Sequence, residues 1–159
     1  MKSVYNFVVT PKGNRYNNTK KVDGGELILN TEIYNHQYVN REAKVISVPR
    51  VGGSEIKLGD TVTLHHNVFR RWHNVKGEEK NSRSFLEEGK YLVTQDQIYL
   101  YKRDGDWVCP RGYCFVQPIK DKNHLSVETE KPLVGIVKYS DGTVNVGELV
   151  GFDPVSTFE

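Results

Sequence analysis

Apolar residues along this chain recur mostly with a period of two, in short runs closed by glycine or proline. Val4-Tyr-Asn-Phe-Val-Val9 is followed by Pro11, and Ala43-Lys-Val-Ile-Ser-Val48 alternates before Pro49. Ile56-Lys-Leu58 leads into the turn Gly59-Asp60, and Thr61-Val-Thr-Leu64 follows directly. Tyr91-Leu-Val-Thr94 and Ile98-Tyr-Leu-Tyr101 flank Gln95-Asp-Gln97. Further on come Tyr113-Cys-Phe-Val116, Val134-Gly-Ile-Val137 and Thr143-Val-Asn-Val146, with Asp141-Gly142 as a hairpin turn. β-Branched and aromatic residues at this spacing predict strands. No window carries a helical stripe of useful length, and Ser84-Phe-Leu-Glu-Glu88 allows at best one turn. The prediction is an all-β chain built as a small barrel or sandwich.

Three segments interrupt the rhythm. Asn14-Arg-Tyr-Asn-Asn-Thr-Lys-Lys-Val-Asp-Gly-Gly25 is polar, lacks periodicity and ends in a glycine pair; Leu27, Ile28 and Leu29 then form a compact apolar plug. A polar stretch with no apolar face predicts a mobile arm, here with an aliphatic tip suited to gripping a partner's groove. The plain alternative is a surface loop followed by a core strand. Arg70 to Arg83 is a long charged insertion, and Lys120-Asp-Lys-Asn-His124 is a polar connection. Segments of such length in a compact domain are usually functional or disordered.

The order of elements also echoes itself. Phe7-Val-Val-Thr-Pro11 resembles Phe115-Val-Gln-Pro118. Ala43 to Val48 followed by Ile56 to Asp60 resembles Val134 to Tyr139 followed by Val144 to Glu148. The echo admits two readings, a partial duplication whose second copy has no aliphatic plug, or a chance recurrence of short β patterns.

Composition narrows the class. The 159 residues suit one domain with a substantial extension, and 37% hydrophobic with 26% charged content suits a small globular core. No apolar run approaches the roughly 20 residues of a membrane-spanning helix. Met1 to Asn6 lacks a secretory apolar stretch, so a cytoplasmic location is expected. A net charge of +2 does not by itself argue for nucleic acid. Cys109 and Cys114 are spaced Cys-x4-Cys without a second ligand pair, which predicts reduced thiols and no metal.

Taken in order, four pieces resemble the GroES (chaperonin-10) co-chaperonin family over residues 4–101. They are the strand Phe7 to Lys12, Gly24-Gly-Glu-Leu-Ile-Leu29, the strand Ala43 to Val48 with Ile56-Lys-Leu-Gly-Asp-Thr-Val62, and the closing pair Lys90 to Leu100. The resemblance implies a GroES-like barrel over 1–101 with a mobile loop at about 13–29, followed by a β-rich extension over 102–159, for which a degenerate second copy is one reading. It implies chaperonin-binding residues Gly24, Gly25, Glu26, Leu27, Ile28 and Leu29. The implied partner is a GroEL-type chaperonin, which itself binds the ATP, and the implied assembly is a seven-membered ring of identical chains. The family has no catalytic residues, cofactor or metal of its own. Departures include a shortened roof between Val48 and Ile56, the insertion after Leu64 and the continuation past Tyr101; such divergence resembles that of phage-encoded members acting in a host cytoplasm.

Other chemistry is thinner. His65 and His66, adjacent on an expected strand, should face opposite ways and not share a metal with His73. Phe69-Arg-Arg-Trp72 with Lys76, Lys80 and Arg83 mixes aromatic and cationic residues as single-strand binders do, but Glu78, Glu79, Glu87 and Glu88 should cancel the field. No phosphate-cradling glycine loop or nucleophile elbow is present, so no enzymatic activity is expected. A β-barrel interaction or virion-associated protein, and a nucleic-acid-binding barrel using Arg70 to Arg83, stay open as alternatives.

Overall fold

The computed structural model describes residues 3–29, 33, 35–121, 129–153 and 155. Its regular structure there is strands joined by turns and three single-turn 3-10 segments, so the chain is all-β. It divides into two compact units, 1–105 and 106–159.

In the first unit the strands are β1 (Phe7–Pro11), β2 (Thr19–Val22), β3 (Gly25–Ile28), β4 (Glu42–Ser47), β5 (Thr61–Leu64), β6 (Arg71–His73), β7 (Glu79–Asn81), β8 (Phe85–Glu87), β9 (Lys90–Val93) and β10 (Ile98–Arg103). The main sheet runs β10-β5-β4-β1-β9-β8, while β2-β3 and β6-β7 are separate hairpins. Alternation works as a strand requires: in β5, Val62 and Leu64 are buried while Thr61 and Thr63 are partly open, and β9 repeats this with Tyr91 and Val93. Phe7, Val9, Ala43, Val45, Ile98 and Phe69 complete the core. Burying each such side chain contributes about 1.5–3 kcal/mol, with Ala43 at the low end.

Several expected elements differ. Ile56-Lys-Leu58 is not a strand, although Ile56 is buried. The Asp60 carboxylate instead accepts a hydrogen bond from the Lys57 amide at 2.8 Å, and Gly59 adopts φ +91°, so the chain turns. The 70–83 insertion is an ordered hairpin, β6-β7, and Phe85–Glu87 is a strand rather than a helical turn.

The second unit contains β11 (Asp106–Val108), β12 (Cys114–Asp121), β13 (Thr129–Ser140) and β14 (Leu149–Gly151), with a sheet in the order β12-β13-β14. Thr143-Val-Asn-Val146, expected as a strand, lies in the turn region before β14, because Asp141 caps it by accepting from the Thr143 amide and hydroxyl. Of the expected polar connection, residues 122–124 lie outside the described residues.

This sheet repeats three strands of the first unit residue for residue. Val9↔Val45, Thr10↔Lys44 and Pro11↔Ala43 pair between β1 and β4, and Val116↔Val137, Gln117↔Ile136 and Pro118↔Gly135 pair between β12 and β13. Both ladders carry an irregularity at the same place, between Val8 and Val9 and between Phe115 and Val116. On the other side, Ala43↔Val62 and Lys44↔Thr61 match Gly135↔Val150 and Ile136↔Leu149. The turns correspond as well. Gly59 donates to the Val45 carbonyl and Val45 to that of Asp60, as Gly147 donates to the Val137 carbonyl and Val137 to that of Glu148. A bulge in the same register, followed by the same glycine-acid turn, is a shared blueprint rather than two unrelated β patterns. In the first unit the span between Pro11 and β4 holds the arm; its counterpart is the stretch between Pro118 and Val134.

Candidate binding hairpin

Residues 19–28, expected as an arm without regular structure, form the two-stranded hairpin β2-β3. Thr19 pairs with Ile28, Lys20 with Leu27, Lys21 with Glu26 and Val22 with Gly25, and the Leu29 amide donates to the Asn18 carbonyl at 2.7 Å. The turn at Asp23-Gly24 needs a positive φ at its second residue, which Gly24 supplies at +99°. The segment lacks an apolar face, which is why its sequence predicts an arm rather than a hairpin. The hairpin forms without one because backbone pairing and the glycine turn suffice to close it.

The aliphatic run lies at the open end of the hairpin, opposite Asn18 to Lys20, and does not enter a core. Leu27, Ile28 and Leu29 are 52%, 61% and 48% exposed, and Val22 across the turn is 48% exposed. The core-strand alternative for these residues is therefore excluded. Gly24 lies in the turn, Gly25 to Ile28 form β3 and Leu29 follows it, so four of the six candidate residues are in one strand and the other two flank it. Alternation places Leu27 and Leu29 on one side of the ribbon and Ile28 on the other. Four exposed aliphatics on a ribbon without its own core form the sort of surface that proteins use to bind one another.

The hairpin's base is fixed. Tyr16 is buried and forms an isolated bridge with Val39; its hydroxyl donates to the Ile33 carbonyl at 3.0 Å and accepts from the Arg71 amide at 2.8 Å. The Arg15 guanidinium donates twice to the Phe69 carbonyl and once to Asn81 Oδ1. It also stands 5.3 Å from the Tyr91 ring. Asn40 donates to the carbonyls of Lys12 and Asn14, and the Asn17 amide donates to that of Tyr38. The arm thus begins near Asn18, and not at Gly13 as expected. Arg15, Tyr16 and Asn40 escaped the sequence reading; one aromatic in a polar stretch was the available signal.

Beside this base lies a group of imidazoles. β5 ends at Leu64, and His65 caps a 3-10 turn by accepting the Asn67 amide on Nδ1 at 3.0 Å. Leaving the strand removes the opposite-face constraint assumed from the sequence: the His65 and His66 rings stack at 4.3 Å, and His36 lies 5.2 Å from His66. Burial, then His65, Arg41, His36 and Arg70, lower the His66 pKa to about 4. Burial and Arg41 lower that of His65. Among the described residues no group of three His, Cys, Asp or Glu side chains is placed to hold a metal. Both cysteines are free thiols; burial and the neighbouring Cys114 push buried Cys109 up to about 11, which makes it a poor nucleophile at neutral pH. No helix among the described residues is long and apolar enough to cross a membrane.

No protein-family model, curated protein or solved structure matches this chain.

Proposed function

We propose that this protein is a co-chaperonin of the GroES type, whose first unit is a small barrel and whose β2-β3 hairpin docks on a GroEL-type chaperonin. The single observation that carries this reading is the outward Leu27-Ile28-Leu29 run, which lies at the pinned end of the hairpin away from the Asp23-Gly24 turn. In this mechanism the side chains of Leu27, Ile28 and Leu29 enter an apolar groove on the chaperonin. Each aliphatic that becomes buried contributes about 1.5–3 kcal/mol. Ordering a free chain would cost about 1–2 kcal/mol per residue, and pairing β2 with β3 in advance removes part of that cost. One hairpin still binds weakly, while a ring of seven engaging together gains from effective concentration. Weak single contacts let the lid leave when the partner's grooves change during its ATP cycle. The protein itself performs no catalysis and acts in the cytoplasm, of a host cell for a phage-encoded member.

The test is capture of chaperonin in the presence and absence of nucleotide, with I28D as the decisive variant. Ile28 supports no core, so I28D keeps the wild-type melting temperature and loses capture. Unchanged capture by folded I28D refutes the hairpin as the docking element. A native mass of a monomer or dimer refutes the ring.

A further inference from the structure

Three of the four acids expected to cancel the charge of the 70–83 insertion pair with cations other than Arg70 and Arg83. Glu79 pairs with Arg71 at 3.0 Å, Glu78 with Lys80 at 2.9 Å, and Glu87 with Lys90. Arg70 and Arg83 have no ion-pair partner among the described residues, and Arg70 Nε–H is buried without a hydrogen-bond acceptor. Both arginines line one cleft of about 530 Å³, together with Trp72, His73, Asn67 and Gln97. Among the described residues no acidic side chain lines it. Its volume falls within the range of small-molecule sites, roughly 300–1,000 Å³.

The chemistry of the lining is specific in kind. Two guanidinium groups present forked donors that match a phosphate, and an exposed indole offers a face on which a planar base can stack. The side-chain amides of Asn67 and Gln97 each carry both donor and acceptor atoms, as base edges require. We propose that this cleft binds a nucleoside phosphate, free or as a unit of a single strand, with the phosphate held by Arg70 and Arg83 and the base against Trp72. An acidic peptide would use the arginines but has no need of the indole. No residue of the β2-β3 hairpin lines the cleft, and the proposal does not depend on chaperonin docking.

The experiment is a fluorescence titration of the full chain with AMP, adenosine, inorganic phosphate, a short oligothymidylate and an oligoglutamate peptide. AMP is expected to quench tryptophan emission, adenosine to bind more weakly, and phosphate to compete with AMP. The chain has two tryptophans, so W72F must abolish the quench. Arg83 is exposed, and R83Q keeps the fold by circular dichroism while weakening AMP by about tenfold, as expected for a lost charge-assisted contact. Affinity that grows with oligothymidylate length, and falls with salt, assigns the site to a strand; equal affinity for AMP assigns it to the free nucleotide. The proposal is overturned by absence of AMP binding at millimolar ligand, by equal AMP affinity in R83Q, or by binding of oligoglutamate in preference to AMP.

Discussion

His66 shows how a single side chain takes its behaviour from its neighbours. Every group whose charge reaches it, His65, Arg41, His36 and Arg70, is or can become positive, and none is an acid. Its folded pKa of about 4 lies below the ordinary 6.5, so the unfolded chain binds a proton that the folded chain refuses. Stability from this group is therefore complete above pH 6.5 and declines as pH falls from there toward 4. His65 is shifted the same way, for the same reasons of burial and Arg41. Melting curves between pH 4 and 7.5 will show a midpoint that falls with acidification, and H66Q will flatten that fall. An identical pH profile in H66Q would assign the effect to other groups.

At the scale of elements, the β2-β3 hairpin holds together through backbone pairing and one turn. A two-stranded ribbon is at best marginally stable in water, and this one has no buried face. Gly24 at φ +99° is the position on which the turn depends. G24V forces a branched side chain into a conformation that costs about 1–3 kcal/mol. Because none of the hairpin's side chains are in the core, the loss stays local. Amide exchange over 19–28 will speed up in G24V while the melting temperature of the protein stays within a degree or two of wild type. A large drop in melting temperature would show that the hairpin supports the sheet.

For the whole molecule, the two units share a plan and differ in how much core each builds on it. The first buries the large side chains Phe7, Phe69 and Tyr91, and pairs β9 and β10 onto the strands the two units share. In the described residues of the second unit, the fully buried large side chain is Val137, and its sheet has three strands. Gly135 occupies the place of Ala43, and a Cβ there would meet Val116 Cγ1 at 2.3 Å and the Gln117 carbonyl oxygen at 2.7 Å. Backbone on one side leaves little room to adjust, so G135V is expected to cost about 1–3 kcal/mol or more. Calorimetry will resolve a lowered transition for the second unit in G135V, with the first unit's transition retained. A uniform shift of a single transition would show that the units melt together.

Much of this architecture was legible along the chain. The alternation in Thr61 to Leu64 and Tyr91 to Val93 marks strands because side chains of a strand face two ways, whatever surrounds them. The repeated order of Val-x-Pro, alternating strand and glycine-acid turn is visible in the sequence, and the matching registers of the two ladders follow that order. The aliphatic run Leu27 to Leu29 was legible only in part: the sequence allowed both a protruding arm and a core strand, and its exposure in the folded chain separates the two. What the chain could not disclose depends on atoms distant in sequence. Tyr16 becomes a post only because Arg71, 55 residues later, brings an amide to its hydroxyl. Arg70 and Arg83 are left uncompensated only because three-dimensional pairing assigns Glu78, Glu79 and Glu87 to other cations. His65 and His66 stack only because the strand ends one residue before them. Local periodicity sets which backbone forms; which charges cancel, and where an arm is tied down, are decided by distances that exist only once the chain has folded.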